Sequence, residues 1–238
     1  MTNAFLVCSA IGKNYGAFSF DERYKQLLET IASIKKHAPD DDIFLVETSK
    51  ELLDDATMVE LSELCVVNFI KDDPVVNLAN NVKERYPNSN EVWNYNETKT
   101  IGEIRATQFF LSELKKQDKT YNRVFKISGR YYLKDNFDLS SYDQYNGKIT
   151  FKANNQHCNM DSMTTRLWSF DYKMIDSIIN MLNGVFEMTI NELNSSNTFT
   201  IVERSFYQQI LRMRLPFIKL QTLGIGGYFG LDGRELNE

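Results

Sequence analysis

Phe5 to Ile11 reads Phe-Leu-Val-Cys-Ser-Ala-Ile, a nearly continuous apolar run, and it limits the fold of this chain more than any other stretch. A strand that is apolar on successive residues has no side left for water, the pattern of a sheet strand covered on both faces. The run ends in the polar, permissive segment Gly12 to Gly16, so a loop follows it. Ser19 and Glu22 then have capping-box spacing, and Tyr24, Leu27, Leu28, Ile31 and Ile34 recur at helical intervals until Pro39. A buried strand, a loop and a core-facing helix are the first half of a βαβ unit.

The pattern repeats. Ile43 to Val46 is a second buried strand ending at Glu47, and Thr48 with Glu51 has capping-box spacing ahead of a helix carrying Met58, Leu61 and Leu64. Val66 to Ile70 reads as a third strand, and Asp72, Asp73 and Pro74 start a helix with Val75, Leu78, Ala79 and Val82 behind it. Strands separated by helices imply parallel crossovers. Tyr86 to Thr98 is rich in Asn and aromatic residues without a period and reads as an irregular loop anchored by Trp93 and Tyr95. Thr100 and Glu103 are placed to open the next helix, which runs to Lys116. Beyond the middle of the chain Asn146-Gly147 marks a turn, and Lys148 to Lys152 and Arg166 to Phe170 read as strands. Helices are expected from Asp171 to Leu182 and from Thr200 to Met213. Leu223 to Gly233 holds five of the eleven glycines and reads as a loop or tail able to close over a site.

Between the two halves lies Val124 to Leu133, Val-Phe-Lys-Ile-Ser-Gly-Arg-Tyr-Tyr-Leu, which reads as one strand. Alternation puts Lys126, Ser128 and Arg130 on one face. A lysine, a hydroxyl and an arginine in an otherwise apolar strand are costly to bury unless they meet a polar, anionic ligand. The competing reading is a bulge at Gly129 with the two cations on a solvated face. The mid-chain position, after a helix and before a polar turn, is where open α/β sheets bind ligands and favours a site.

The 238 residues, 42% hydrophobic and without a composition shift, suit one domain over 1-238. A net charge of -5 argues against a protein built to coat nucleic acid, although Lys115, Lys116, Lys119 and Arg123 form a local basic run. Cys8, Cys65 and Cys158 are odd in number and far apart, which fits reduced thiols in a cytoplasmic protein. His157 and Cys158 are neighbours that a strand would point to opposite faces, so no metal site is expected from them. Asn3 to Ile11 is too short to cross a bilayer, and no transmembrane segment is expected.

The order of elements resembles glycosyltransferases of the GT-A fold, in particular small capsule-type and bacteriophage enzymes. The resemblance rests on the first strand, the helix with Arg23, Thr30 and Ile34, the acid Glu47, the Lys-Ile-Ser-Gly-Arg-Tyr segment and Ile201-Val-Glu203. It implies a Rossmann-like α/β domain with a mostly parallel central sheet flanked by helices, and transfer of a hexosyl or pentosyl group from a nucleotide-sugar donor. It also implies that Ser9, Ala10, Arg23 and Glu47 hold the nucleotide. The implied acceptor is a saccharide by default, or a modified DNA base for an enzyme of phage origin. Such enzymes mostly carry an Asp-x-Asp motif for a divalent cation, and the comparable place here is Ser128, Gly129, Arg130. Arg130 and Lys126, with Lys99, are therefore expected to compensate the diphosphate charge, and a divalent cation is not expected to be essential. Asp135 and Asp138 fit a solvated turn better than a metal site. Glu203 and Asp161 are the candidates for the base that activates the acceptor hydroxyl, although Thr200 and Glu203 also have capping-box spacing. A non-catalytic nucleotide- or carbohydrate-binding protein on the same fold is the alternative.

Overall fold

The structure, a computed structural model, describes residues 2-12, 16-81, 91-153, 162-196 and 202-238. Its first part alternates as expected: β1 Ala4–Ser9, α1 Phe20–His37, β2 Asp42–Glu47, α2 Asp55–Leu64, β3 Val66–Phe69 and α3 Pro74–Asn80. Then come α4 Glu91–Lys116, β4 Arg123–Ser128, β5 Tyr131–Leu133, β6 Ile149–Ala153 and β7 Met163–Asp171. The chain continues through α5 Ile175–Ser196, α6 Val202–Arg212, β8 Phe217–Leu220, β9 Ile225–Tyr228 and β10 Glu235–Asn237.

The fold is mixed α/β, with a mostly parallel central sheet in the order β3-β2-β1-β4-β7-β6-β8 and helices packed on it. β1 pairs in parallel with β2 and β4, and only β7 runs against its neighbours β4 and β6. The buried alternation of β1 explains its central place: Phe5 and Val7 pack with Leu27, Ile31 and Ile34 of α1, while Ala4 and Leu6 pack with Ile104, Phe110 and Leu111 of α4. Phe5 stacks on Phe125 of β4 at 4.7 Å between ring centroids. A second sheet, β10-β9-β5, stands beside the end of β4.

Four expectations change. The stretch from Val124 to Leu133 is two strands in two sheets, because the chain turns at Gly129-Arg130 with Arg130 N donating to Ser128 O over 2.8 Å. Arg130 therefore does not share the Lys126 face. The helix expected to open at Thr100 begins at Glu91, so Thr100 and Glu103 lie in its interior, and the Trp93-Tyr95 stretch is helical, not a loop. Packing of α4 against β1, β2, α3 and α5 overrides the weak helix propensity of its asparagines. The cap of α2 is Asp54, which accepts from Thr57 N, rather than Thr48. Finally, the glycine-rich end is not all loop: it forms β9 and β10, with Gly226 and Gly227 inside β9.

Candidate functional site

The order β3-β2-β1-β4 sends the crossovers after β1 and β2 to one side and brings β4 in on the other, so the connections reverse between β1 and β4. In an open α/β sheet the crevice at such a reversal, outside the carboxyl ends of the strands, is where ligands bind. Here that place holds a small cleft, open to solvent and lined by Cys8, Ser9, Ala10, Ile11, Arg23, Gly129 and Arg130.

Its walls are stitched together by local hydrogen bonds. Gly129 N donates to Cys8 O over 2.8 Å, fixing the β4 turn to β1. A Cβ at Gly129 would lie 3.2 Å from Leu27 Cδ1, so the turn sits tight against α1. Glu47 is fully buried: it accepts from Ile11 N at 3.2 Å and from Ser49 N at 2.8 Å and takes the Ser49 hydroxyl as well. Ser49 Oγ accepts from Gly12 N at 2.7 Å, and Thr48 N donates to Ser9 O at 3.0 Å. Arg23 closes the loop from α1, giving Nε to Phe18 O at 3.0 Å and Nη1 to Ala10 O at 3.2 Å. Glu47 thus shapes the backbone that lines the cleft and does not line it itself. Cys8 reaches the cleft as a thiol, because burial pushes its pKa up to about 11 despite the charge of Lys126 nearby.

The C-terminal hairpin packs against β5, the strand that follows the cleft-lining Arg130. Tyr131 and Tyr132 pair with Gly227 and Gly226 of β9. A Cβ at Gly227, where φ is +145°, would stand 2.3 Å from Arg130 O, and one at Gly226 would stand 2.5 Å from the Tyr132 ring. At Gly227, where the neighbours are backbone atoms, only glycine lets β9 approach this closely. Beyond it, Ala17 N donates to Gly230 O at 3.0 Å, and Phe18 meets Tyr228 edge-on with centroids 6.0 Å apart. The end of the chain and the loop after β1 are thereby joined.

A second polar cluster lies on the α4 and α6 side of the sheet. Lys126 is 1% exposed and donates to Glu103 Oε1, to Ser128 Oγ at 2.9 Å and to Thr165 O at 2.6 Å. An ammonium has three hydrogens, and all three are engaged within the protein. Burial raises the pKa of Glu103, but the charges of Lys126 and Lys99 and the hydrogen bonds from Lys126 and Thr165 outweigh it and hold the carboxyl below its ordinary range. Glu203, in the first turn of α6, meets Lys99 Nζ at 3.7 Å and Thr165 Oγ1 at 3.5 Å. Lys99, Glu103, Lys126 and Glu203 form one neutral set of two cations and two carboxylates.

The residues expected from the sequence fall into these two groups: Ser9, Ala10, Arg23, Gly129 and Arg130 in the cleft, and Lys99, Lys126 and Glu203 in the polar cluster, with Ser128 between them. Asp161, His157 and Cys158 lie outside the described residues. Asp135 pairs with Lys36 on the surface, and Asp138 caps the 3-10 turn Leu139–Tyr145. Sequence reasoning missed Ser49, Thr165 and Gly227. A glycine pair inside a strand pattern was the available signal for the last, whereas Ser49 and Thr165 carry no mark in the sequence.

The sequence matches no known family and no curated protein. Among solved structures the chain is similar to the apo-form glycosyltransferase GlyE of Streptococcus pneumoniae TIGR4, at TM-score 0.48 and 9% identity over 92% of this chain and 45% of that one. It is also similar to a nucleotide-diphospho-sugar transferase of Desulfovibrio desulfuricans G20, at TM-score 0.46 and 9% identity over 92% of this chain and 80% of that one. The chain thus spans under half the length of the first. Likeness at this level assigns no chemistry, which has to come from the side chains. Among the described residues no helix is long and apolar enough to cross a membrane, and no group of three or more His, Cys, Asp or Glu could hold a metal ion.

Proposed function

We propose that this chain transfers a sugar from a nucleotide-activated donor to an acceptor hydroxyl. The observation that carries the reading is the cleft at the reversal between β1 and β4, where Arg23 and Arg130 come together with glycine and small residues that leave room for a ligand. Guanidinium groups match the charge and planar geometry of phosphate oxygens, so a diphosphate is the ligand this chemistry suits. Arg130 supplies charge where an Asp-x-Asp motif would hold a cation, and turnover without added divalent cation is part of the proposal.

Glu203 is the proposed base. It is partly exposed beside Lys99, at the same edge of the sheet. Its carboxylate takes the proton of the acceptor hydroxyl as the bond to the anomeric carbon forms and the nucleoside diphosphate leaves with the electron pair of the broken bond. A saccharide is the acceptor favoured here over a modified DNA base. Lys115, Lys116 and Lys119 are paired with Asp176, Glu113 and Asp42, and Arg123 is 4% exposed and bonded to Ser169 Oγ and Lys148 O, so the basic run of the sequence makes no free cationic stripe.

The test is a thermal-shift and calorimetric screen against UDP-, GDP- and CDP-sugars, followed by assay of donor hydrolysis without acceptor. Binding with slow hydrolysis supports a transferase. Binding without any hydrolysis or transfer points to a non-catalytic nucleotide-binding protein, and no response at millimolar donor refutes the reading.

A further inference from the structure

Ser128 is the last residue of β4, partly exposed, one position before the cleft-lining Gly129 and directly opposite the cleft-lining Cys8. Its hydroxyl oxygen accepts from Lys126 Nζ at 2.9 Å. Lys126 has no lone pair and can only donate, so in this contact the serine can only accept. Its own hydrogen must point elsewhere, and among the described residues it meets no acceptor. The ammonium cannot rotate away, because Glu103 Oε1 and Thr165 O hold its other hydrogens inside the sheet.

We infer that Ser128 is an oxyanion donor of the site and that Lys126, held by Glu103, is the positioning residue that fixes the direction of its hydrogen. A hydroxyl that already accepts from an ammonium is polarised toward giving up its hydrogen, and it favours a partner that only accepts, as a phosphate oxygen does. A ligand lying across the carboxyl edge of the sheet meets both faces of the terminal residues, so Ser128 from one side and Arg130 from the other grip the same diphosphate. Lys126 acts on the ligand through Ser128 rather than by contact. The inference rests on the diphosphate part of the proposed function.

The probe is inorganic pyrophosphate, titrated calorimetrically into the native protein and its variants, with UDP, GDP and CDP run in parallel. Ser128→Ala should weaken pyrophosphate binding about tenfold or more, the range for a hydrogen bond to a charged group, with an unchanged melting temperature. Ser128→Thr keeps the hydroxyl and should recover most of the affinity. Lys126→Met alone would strand the Glu103 carboxylate, so the pair is replaced together as Lys126→Met with Glu103→Met. In that background the serine hydrogen is no longer directed, and the Ser128→Ala step should cost a smaller factor than in the native protein. An equal factor in both backgrounds, or native affinity in Ser128→Ala, overturns the inference. A native protein that binds pyrophosphate but no nucleotide removes the nucleotide-sugar reading while the serine comparison still decides the polarity. One that binds neither overturns both.

Discussion

Gly227→Ala is the perturbation that best tests how the site is held. The added Cβ would lie 2.3 Å from Arg130 O, 2.6 Å from Tyr131 Cδ1 and 2.9 Å from Tyr131 Cα. Two of these atoms are backbone and cannot rotate out of the way, so β9 must slide from β5 by roughly 1 Å to restore a normal contact. Overpacking of this kind costs about 1–3 kcal/mol, and an L-residue at the +145° φ of this position adds about 1–2 kcal/mol. A loss of about 2–5 kcal/mol lowers the melting temperature by roughly 5–15 °C for a chain of this size. Gly147 is the control: its φ is +69°, but a Cβ there would meet nothing within 4 Å, so Gly147→Ala should show the backbone cost alone. Scanning calorimetry of the two variants separates the terms, and pyrophosphate titration asks whether displacing Arg130 O weakens the cleft. If Gly227→Ala melts within about 2 °C of Gly147→Ala and binds as the native protein does, the close-approach argument is wrong.

Arg130→Ala should lose donor binding with little change in melting temperature, and Arg130→Lys should restore only part of it, because a point ammonium cannot reproduce the guanidinium fork; undiminished turnover in Arg130→Ala would remove its role. Glu203→Gln keeps the shape and hydrogen-bonding reach of the side chain but not its basicity, so turnover should fall by roughly a hundredfold while donor affinity holds; equal turnover would return Glu203 to a structural pairing with Lys99. The depressed pKa of Glu103 makes a signed prediction. Its ion pair stabilises the fold above the ordinary carboxylate value of 4.5, and that contribution is lost as pH falls below it through the folded value. Melting temperature followed from about pH 7 to about pH 3 should therefore fall more steeply for the native protein than for the Lys126→Met, Glu103→Met pair, and parallel curves would show that the pair adds no pH-dependent stability.

The sequence alone determined the layered architecture, because burial on two faces is written locally. Phe5 to Ile11 and Ile43 to Val46 are apolar without interruption, and the stripe from Leu27 to Ile34 has the period of a helix, so each element could be read without knowing its neighbour. It also marked the Lys-Ile-Ser-Gly-Arg segment, since charges inside an apolar run stand out. What those charges face was decided only by the tertiary structure. Lys126 and Arg130 have the spacing of one strand face, yet a turn at Gly129 sends one into a buried pair with Glu103 and the other to the cleft. The same dependence governs Glu47 and Glu103, whose partners Ile11 and Lys126 lie 36 and 23 residues away along the chain. Gly227 is the sharpest case: its reason is the carbonyl of Arg130, almost a hundred positions earlier, and no local pattern can announce a contact that exists only once two sheets have closed together.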